Sequence, residues 1–361
     1  MSIVLFGGLD VHQKSIAAHV FCPETGEFFE DEFPNERQHL VRAVSRWQRT
    51  GEVRLCYEAS SAGFVVKRWL DEVGVSCEVI APAFVPKGPG DRIKTDRRDA
   101  RRLAQFYASG MLRVVRVPTR DEETVRAVVR HRDDLTRDMT RCKNRTLKFL
   151  GLQGHRYTGG SNWTQGHRRW LNQLELEPDQ ALVLRSHLGC LDHLEIQRED
   201  VDRRIHELAQ TPAYAKRVQR LMSLRGVGVY TAMVLLTEIG DAHRFGKAKE
   251  LMSYLGLVPR QSNSGTTRHS GGITKVGNTR ARWILAETAW RQTTPPGNSK
   301  RLRQHWTSQP AEVVAIAKKA EKRLHHKFWK IAVRVDRKTA ATAVARELAG
   351  FVWAMLTLEA A

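Results

Sequence analysis

The chain has 361 residues, 41% of them hydrophobic, and its 59 Lys and Arg against 39 Asp and Glu give a net charge of +20 at pH 7. That length and apolar content support two or three folded domains and exclude a disordered chain. The charge points to a polyanionic partner, with nucleic acid ahead of membrane.

No apolar run reaches the ~18 residues of a membrane span. Met1-Ser2-Ile3-Val4-Leu5 has no basic stretch ahead of its apolar residues, so no signal peptide is expected. Cys22, Cys56, Cys77, Cys142 and Cys190 form no CxxC pair and no zinc spacing. A disulfide framework is therefore not expected, and a reducing cytoplasm is. The charge is unevenly spread. Residues 1–110 hold 15 basic and 15 acidic side chains, so the remaining 251, with 44 against 24, carry the whole excess.

In chain order, an apolar run over residues 3–9 ends at Asp10, a second β-type run covers Ser15 to Cys22, and a third lies around Glu27 to Phe33. A helix is predicted over Glu36 to Gln48 from the spacing of Leu40, Val41, Val44 and Trp47. A strand follows at Val53 to Tyr57, a helix at Phe64 to Val73 and a strand at Val75 to Ile80. A Pro- and Gly-rich loop, Ala81 to Gly90, precedes a helix bearing Asp96 and Asp99. The order β-β-β-α-β-α-β-α is that of a ribonuclease-H-like α/β domain. Arg113 to Pro118 reads as a final short strand or linker.

A charged helix is expected from Asp121 to Leu150, opening on Asp121-Glu122-Glu123 as a helix N-terminus favours. Gly151 to Gly166 reads as a loop. A second long helix, about Asp179 to Leu208, carries Leu184, Leu188, Leu191, Leu194, Val201, Ile205 and Leu208 on one face, as in an antiparallel coiled coil or a helical hairpin. Residues 212–292 read as a compact α-rich unit. Within it, Gly226 and Gly228 make a tight turn between helices at Ala213 to Ser223 and Tyr230 to Ile239. This helix-hairpin-helix pattern presents backbone N–H groups to a DNA phosphate. After a break at Gln292 to Asn298, two helices are expected, Pro310 to Ile331 and Lys338 to Leu358.

The chemistry concentrates in two places. Asp10 and Glu58 follow strands that would be neighbours, and in a helix Asp96 and Asp99, three apart, share a face. Four carboxylates brought to one spot would hold one or two divalent metal ions for phosphoryl transfer. The second place is Tyr254 to Asn278. No acidic residue falls between Glu250 and Glu287, while Arg260, Arg268, Lys275, Arg280 and Arg282 are present. The expectation is a loop on phosphate, whose serine is either a nucleophile or a phosphate-contacting hydroxyl.

These motifs in this order resemble the DEDD-motif insertion-sequence transposases, relatives of the Piv DNA invertases that include the bridge-RNA-guided recombinases. The resemblance rests on Gly8-Leu9-Asp10-Val11-His12, Tyr57-Glu58-Ala59, Lys94-Thr95-Asp96-Arg97-Arg98-Asp99-Ala100, the Gly226-Val227-Gly228 turn, Gly256-Leu257-Val258-Pro259 to Ser264-Gly265, and Gly272 to Asn278. It covers nearly the whole chain. It implies a RuvC-like (ribonuclease-H-fold) catalytic domain over 1–118, a helical coiled-coil or dimerisation arm over 119–210, and an α-rich transposase domain over 211–361 with the helix-hairpin-helix and a serine loop. It further implies Asp10, Glu58, Asp96 and Asp99 as a tetrad for Mg2+ or Mn2+, and Ser264 as a nucleophile forming a serine–DNA phosphodiester. The implied partners are DNA, a structured noncoding guide RNA, and further copies of the chain as a dimer or tetramer. Many members have Ser-Ser-Gly-Gly where this chain has Asn263-Ser264-Gly265-Thr266, so Ser262 stays a second candidate. A RuvC-like metal-dependent nuclease or resolvase without a covalent intermediate, or a Piv-like invertase, would use much the same residues.

Overall fold

Side chains alternate between the two faces of a strand, so the apolar pattern of the first hundred residues decides which face each residue joins. The computed structural model describes residues 3–86, 95–264, 267–297 and 299–358, with side chains described outside 262–270. The chain divides into two compact units, 1–118 and 119–361.

In the first unit, β1 (Val4–Val11), β2 (Ser15–Phe21) and β3 (Phe28–Pro34) form an antiparallel meander. Next come α1 (Arg37–Trp47), β4 (Glu52–Glu58), α2 (Val65–Glu72) and β5 (Ser76–Ile80). The sheet order is β3-β2-β1-β4-β5, with β4 parallel to both β1 and β5. Leu5, Leu9, Leu55 and Tyr57 join Leu40, Val44, Trp47 and Leu70 of α1 and α2 in a core on one face. The opposite face is covered by α3 (Asp96–Ala108), where Leu103 packs with Cys56 and Ile80.

Gly8 sets how close α3 comes. A Cβ at Gly8 would collide with the Ala100 carbonyl oxygen and stand 2.6 Å from the Ala104 nitrogen. Only a residue without a side chain lets the helix rest on β1 at this point. The Thr95 side chain caps α3 by accepting from the Arg98 N–H. Arg113 to Pro118 is an extended connection with an isolated antiparallel bridge from Val114 to Ile80.

The second unit opens with α4 (Arg120–Leu152), started by a capping box in which Thr119 and Glu122 satisfy each other's backbone N–H. After α5 (Gln165–Gln173), α6 (Pro178–Gln210) runs back antiparallel: Val129 shares a core with Ile205, Met139 with Leu191, and Leu150 with Leu184. The leucine face predicted on α6 thus packs within one chain. α7 (Ala215–Met222) leads through the glycine turn into α8 (Val229–Ile239), which is buried from Ala232 to Ile239. Around it lie α9 (Ala248–Tyr254), α10 (Thr279–Ala289), α11 (Lys300–Trp306), α12 (Ala311–Ala332) and α13 (Arg337–Thr357).

Three stretches differ from expectation, and one is α11, which precedes the two helices expected after the break. α5 begins at Gln165, capped by Thr164, inside the expected Gly151 to Gly166 loop. The serine stretch, expected as a loop, is a hairpin of β6 (Pro259–Ser264) and β7 (Thr267–Ile273), with Ser264 paired to Thr267. Its sequence carries no apolar alternation, which is why pattern reading missed it. The hairpin is anchored at its base, where the Lys275 N–H donates to the Gly256 carbonyl and the Thr274 N–H to the Val258 carbonyl. The backbones at Gly256 and Gly277 press against Val276 and Tyr254 so closely that a Cβ on either would collide with a carbonyl.

Candidate active site

Asp10 is the last residue but one of β1, on the face that α3 covers, as residues 8 and 10 share a face. Asp96 and Asp99 lie in the first turn of α3, where the partial positive charge of a helix start favours carboxylates. The tight seat at Gly8 brings that turn to Asp10. His12, two residues beyond Asp10, completes the group: its Nε2 lies 3.3 Å from Asp10 Oδ2 and 3.4 Å from Asp96 Oδ2. Asp10, His12 and Asp96 each offer a ligand atom within 4.8 Å of the others.

Burial raises the Asp10 carboxyl above its usual range; the nearby Asp96 and Asp99 push the same way, and His12 opposes them. A buried carboxylate beside other carboxylates is a place where a cation is favoured. Hard oxygen donors with one imidazole fit a divalent ion such as Mg2+ or Mn2+. Asp99, largely shielded, also lies 3.3 Å from the Arg102 guanidinium. Glu58 ends β4, the parallel neighbour of β1, and alternation from Cys56 puts it on the α3 face. Asp10 and Asp96 therefore come together with His12, Asp99 lies near enough to act on Asp10 through its charge, and Glu58 stands one strand over. The sequence alone assigns His12 no role. The signal for it was its i, i+2 spacing from Asp10 at the strand end, which keeps both on one face.

In the second unit the charges are arranged differently. Glu238, 1% exposed, accepts 2.7 and 2.8 Å bonds from Arg130 and a 2.7 Å bond from Asn278. Burial alone would raise its carboxyl, but these bonds and the Arg130 and Arg126 charges outweigh it and hold it below the ordinary glutamate range. Arg225 and Glu321 form another buried pair. Arg280 bonds to Asp133 at 2.8 Å and Asp134 at 3.2 Å, and Arg282 donates to the Leu255 carbonyl at 2.8 Å. Those two of the expected phosphate binders are thus engaged inside the unit, whereas Arg260 and Lys275 are exposed at the hairpin.

Gly226 has φ +83°, and a Cβ there would stand 2.9 Å from Arg291. Gly228 opens α8 with no side-chain cap and with open space around its α-carbon. The turn lines a cavity of about 270 Å3 together with Arg301 and His305. Ser264 closes β6; its side chain, with those of Ser262 and Arg268, lies outside the described residues, as do Lys94 and Gly265.

A transposase family model matches residues 7–152, and the Transposase IS116/IS110/IS902 family model matches residues 218–306, so neither covers 153–217. A Sinorhizobium fredii protein named as the transposase y4qE is 37% identical over 305 residues, 84% of this chain and 75% of that protein. The transposase for insertion sequence element IS1533 of Leptospira borgpetersenii is 30% identical over 90% of this chain and 95% of its own length. The pilin gene-inverting protein of Moraxella lacunata is 25% identical over 66% of this chain and 67% of its own. Among the described residues no helix is long and apolar enough to cross a membrane.

Proposed function

The chain belongs to the IS116/IS110/IS902 family of insertion-sequence transposases, and on that premise we propose that it cuts and rejoins DNA through a covalent phosphodiester to Ser264. The observation that carries this reading is the gathering of Asp10, His12 and Asp96 at the start of α3, with Asp99 acting on Asp10 through its charge, in a chain whose second unit holds the charge excess. The first unit is read as a ribonuclease-H-like catalytic domain. Asp10, Glu58, Asp96 and Asp99 would hold Mg2+ or Mn2+, with His12 against Asp10 and Asp96. When bound, the ion supplies positive charge to the phosphate under attack.

In the proposed step, the Ser264 oxygen bonds phosphorus as its hydroxyl proton departs, and the bond to one sugar oxygen breaks, that oxygen leaving as a hydroxyl once protonated. Arg260, Arg268 and Lys275 neutralise the charge that develops on the phosphate. Attack by the hydroxyl of a second DNA end reverses the step and frees the serine. The phosphodiester conserves the energy of the cut, so no nucleotide cofactor is required. Ser262, two residues away on the same strand, is the alternative nucleophile. The uncapped start of α8 at Gly228 supports a sequence-independent phosphate contact. With both engaged by the protein, Arg282 holds the hairpin base through the Leu255 carbonyl and Arg280 ties α10 to Asp133 and Asp134 of α4.

The segment 119–210 is proposed as an arm that pairs copies of the chain into a dimer or tetramer, so that 1–118 of one copy serves the serine domain, 211–361, of another. A structured noncoding RNA is proposed to choose the DNA sites. The likeness to a pilin gene-inverting protein supports inversion as a second outcome of the same chemistry. The test is strand exchange on DNA carrying the gene with its native flanks, with and without the flanking transcript and Mg2+. Exchange should need both and should be lost in Glu58→Gln. Full exchange by Glu58→Gln, or in chelator, would rule out the acidic site; exchange without the transcript would rule out guidance.

A further inference from the structure

The segment between the two family-matched regions builds a feature that the strand-transfer chemistry does not use. Where α4 gives way to α5, a cavity of about 340 Å3 is lined by His155, Arg156, Tyr157, Asn162, His167 and Trp170 among others. That is within the ~300–1,000 Å3 of small-molecule sites. The His167 ring stacks on Trp170 at 5.5 Å between centroids, and Tyr157 lies 5.0 Å from His167 and 5.5 Å from Trp170.

Three observations separate this cluster from a plain aromatic core. His167 is fully buried and its Nδ1 accepts the Trp163 backbone N–H at 3.0 Å, which leaves the proton of the neutral ring on Nε2. That Nε2 has no hydrogen-bond partner. Orphaned buried donors are uncommon and call for an explanation. Second, Trp163 holds φ +67°, a left-handed conformation that a bulky residue seldom adopts, and such strain clusters at ligand sites. Third, Gly159 and Gly166 make room for the Tyr157 ring, since a Cβ on either would stand 2.7 or 2.8 Å from its hydroxyl oxygen. The rim is polar and open, with Arg156 and Asn162 exposed.

We propose that this cavity binds an unpaired nucleobase of a single-stranded nucleic acid, stacked against Tyr157 and Trp170, with Asn162 reading its edge and Arg156 meeting the neighbouring phosphate. Every base has a π-face, so aromatic walls suit a strand without strict sequence demand. Bases paired within a duplex do not offer that face. The strand is either RNA or a displaced DNA strand, since the stacking chemistry is shared. The site goes beyond the serine mechanism and is independent of it.

The test uses the full-length chain with single-stranded RNA, single-stranded DNA and duplex DNA, each carrying the fluorescent base 2-aminopurine. The proteins are wild type, Ser264→Ala and the double variant Arg156→Ala with Asn162→Ala, which removes two exposed side chains and leaves the aromatic packing in place. Stacking should quench the emission of a single strand, and the double variant should bind that strand about tenfold more weakly, within the range of one lost base contact. Duplex affinity should stay unchanged. Quenching by RNA alone assigns the base to RNA, and quenching by DNA alone to a displaced strand; either supports the site. Unquenched emission with both single strands, or equal affinity of the double variant and wild type, overturns it. Photocross-linking from 4-thiouridine or 4-thiothymidine should mark peptides within 155–170, and marks confined elsewhere overturn it as well. Ser264→Ala should quench as wild type does, which separates failure of this site from failure of the serine chemistry.

Discussion

The two units treat their carboxylates in opposite ways. In the first, Asp10 and Asp96 meet across the His12 imidazole, with Asp99 close enough to act on Asp10 and itself beside Arg102. In the second, Glu238, Glu321 and Asp133 are buried, each fixed by an arginine. Carboxylates that repel await a cation, and carboxylates clamped by guanidinium groups hold a fold together. The difference is the ground on which the first cluster is proposed as the site, while the second set is architecture, although both are acidic residues in a basic chain.

The sharpest way to break this contrast is to remove one carboxylate from each set. Asp96→Asn should lower DNA cleavage by roughly 10^4-fold, ~5 kcal/mol in barrier, because it removes a ligand from the acidic group. Its thermal midpoint should hold or rise, since a repulsion goes with it. Arg225→Ala should behave the other way and lower unfolding free energy by about 3–5 kcal/mol in denaturant melts, leaving Glu321 buried and unpaired. A loss of stability in Asp96→Asn as large as that of Arg225→Ala would erase the distinction.

Gly8→Ala sharpens the account of how the first set is assembled. The added methyl meets α3 backbone, so a cost of ~1–3 kcal/mol is expected, as for overpacking elsewhere, with cleavage falling further than stability because the turn bearing Asp96 is displaced. Full activity in Gly8→Ala would show that α3 does not need its close seat.

Acid should act on the second unit through Glu238. Its folded value lies below the ordinary 4.5, so its contribution is complete above that value and is lost as pH falls through the lower, folded one. Melts from neutral to about pH 3 should lose on the order of 1 kcal/mol at this residue, and Glu238→Gln should flatten that part of the profile. The smallest effect belongs to the surface. Arg260→Gln or Lys275→Gln should each reduce the slope of log affinity against log salt by about 0.9, with melting unchanged.

The first unit was legible in the sequence because strand alternation and helix spacing are local. The apolar runs at 3–9, 15–22 and 53–57 identify the strands, and the i, i+3 spacing of Asp96 and Asp99 places them together. His12 was less legible, since a histidine after a strand acquires meaning only when Asp96 arrives from another element. The β6–β7 hairpin was not legible at all, because it is set by the crossing of two glycine turns some twenty residues apart and not by its own polar sequence. The engagement of Arg280 and Arg282 was equally hidden: a cation count does not reveal that Asp133 and the Leu255 carbonyl stand within reach.

The proposed serine chemistry stands or falls on where the bond between protein and DNA lies. Wild-type protein is incubated with Mg2+, the flanking transcript and DNA bearing the native ends, then denatured and digested with trypsin, and the Gln261–Arg268 peptide is examined by mass spectrometry. A nucleotide on Ser264 is expected, absent from folded Ser264→Ala and from folded Asp10→Asn. Metal-dependent cleavage with no adduct on this peptide, unaffected by Ser264→Ala, would contradict it and leave water as the nucleophile.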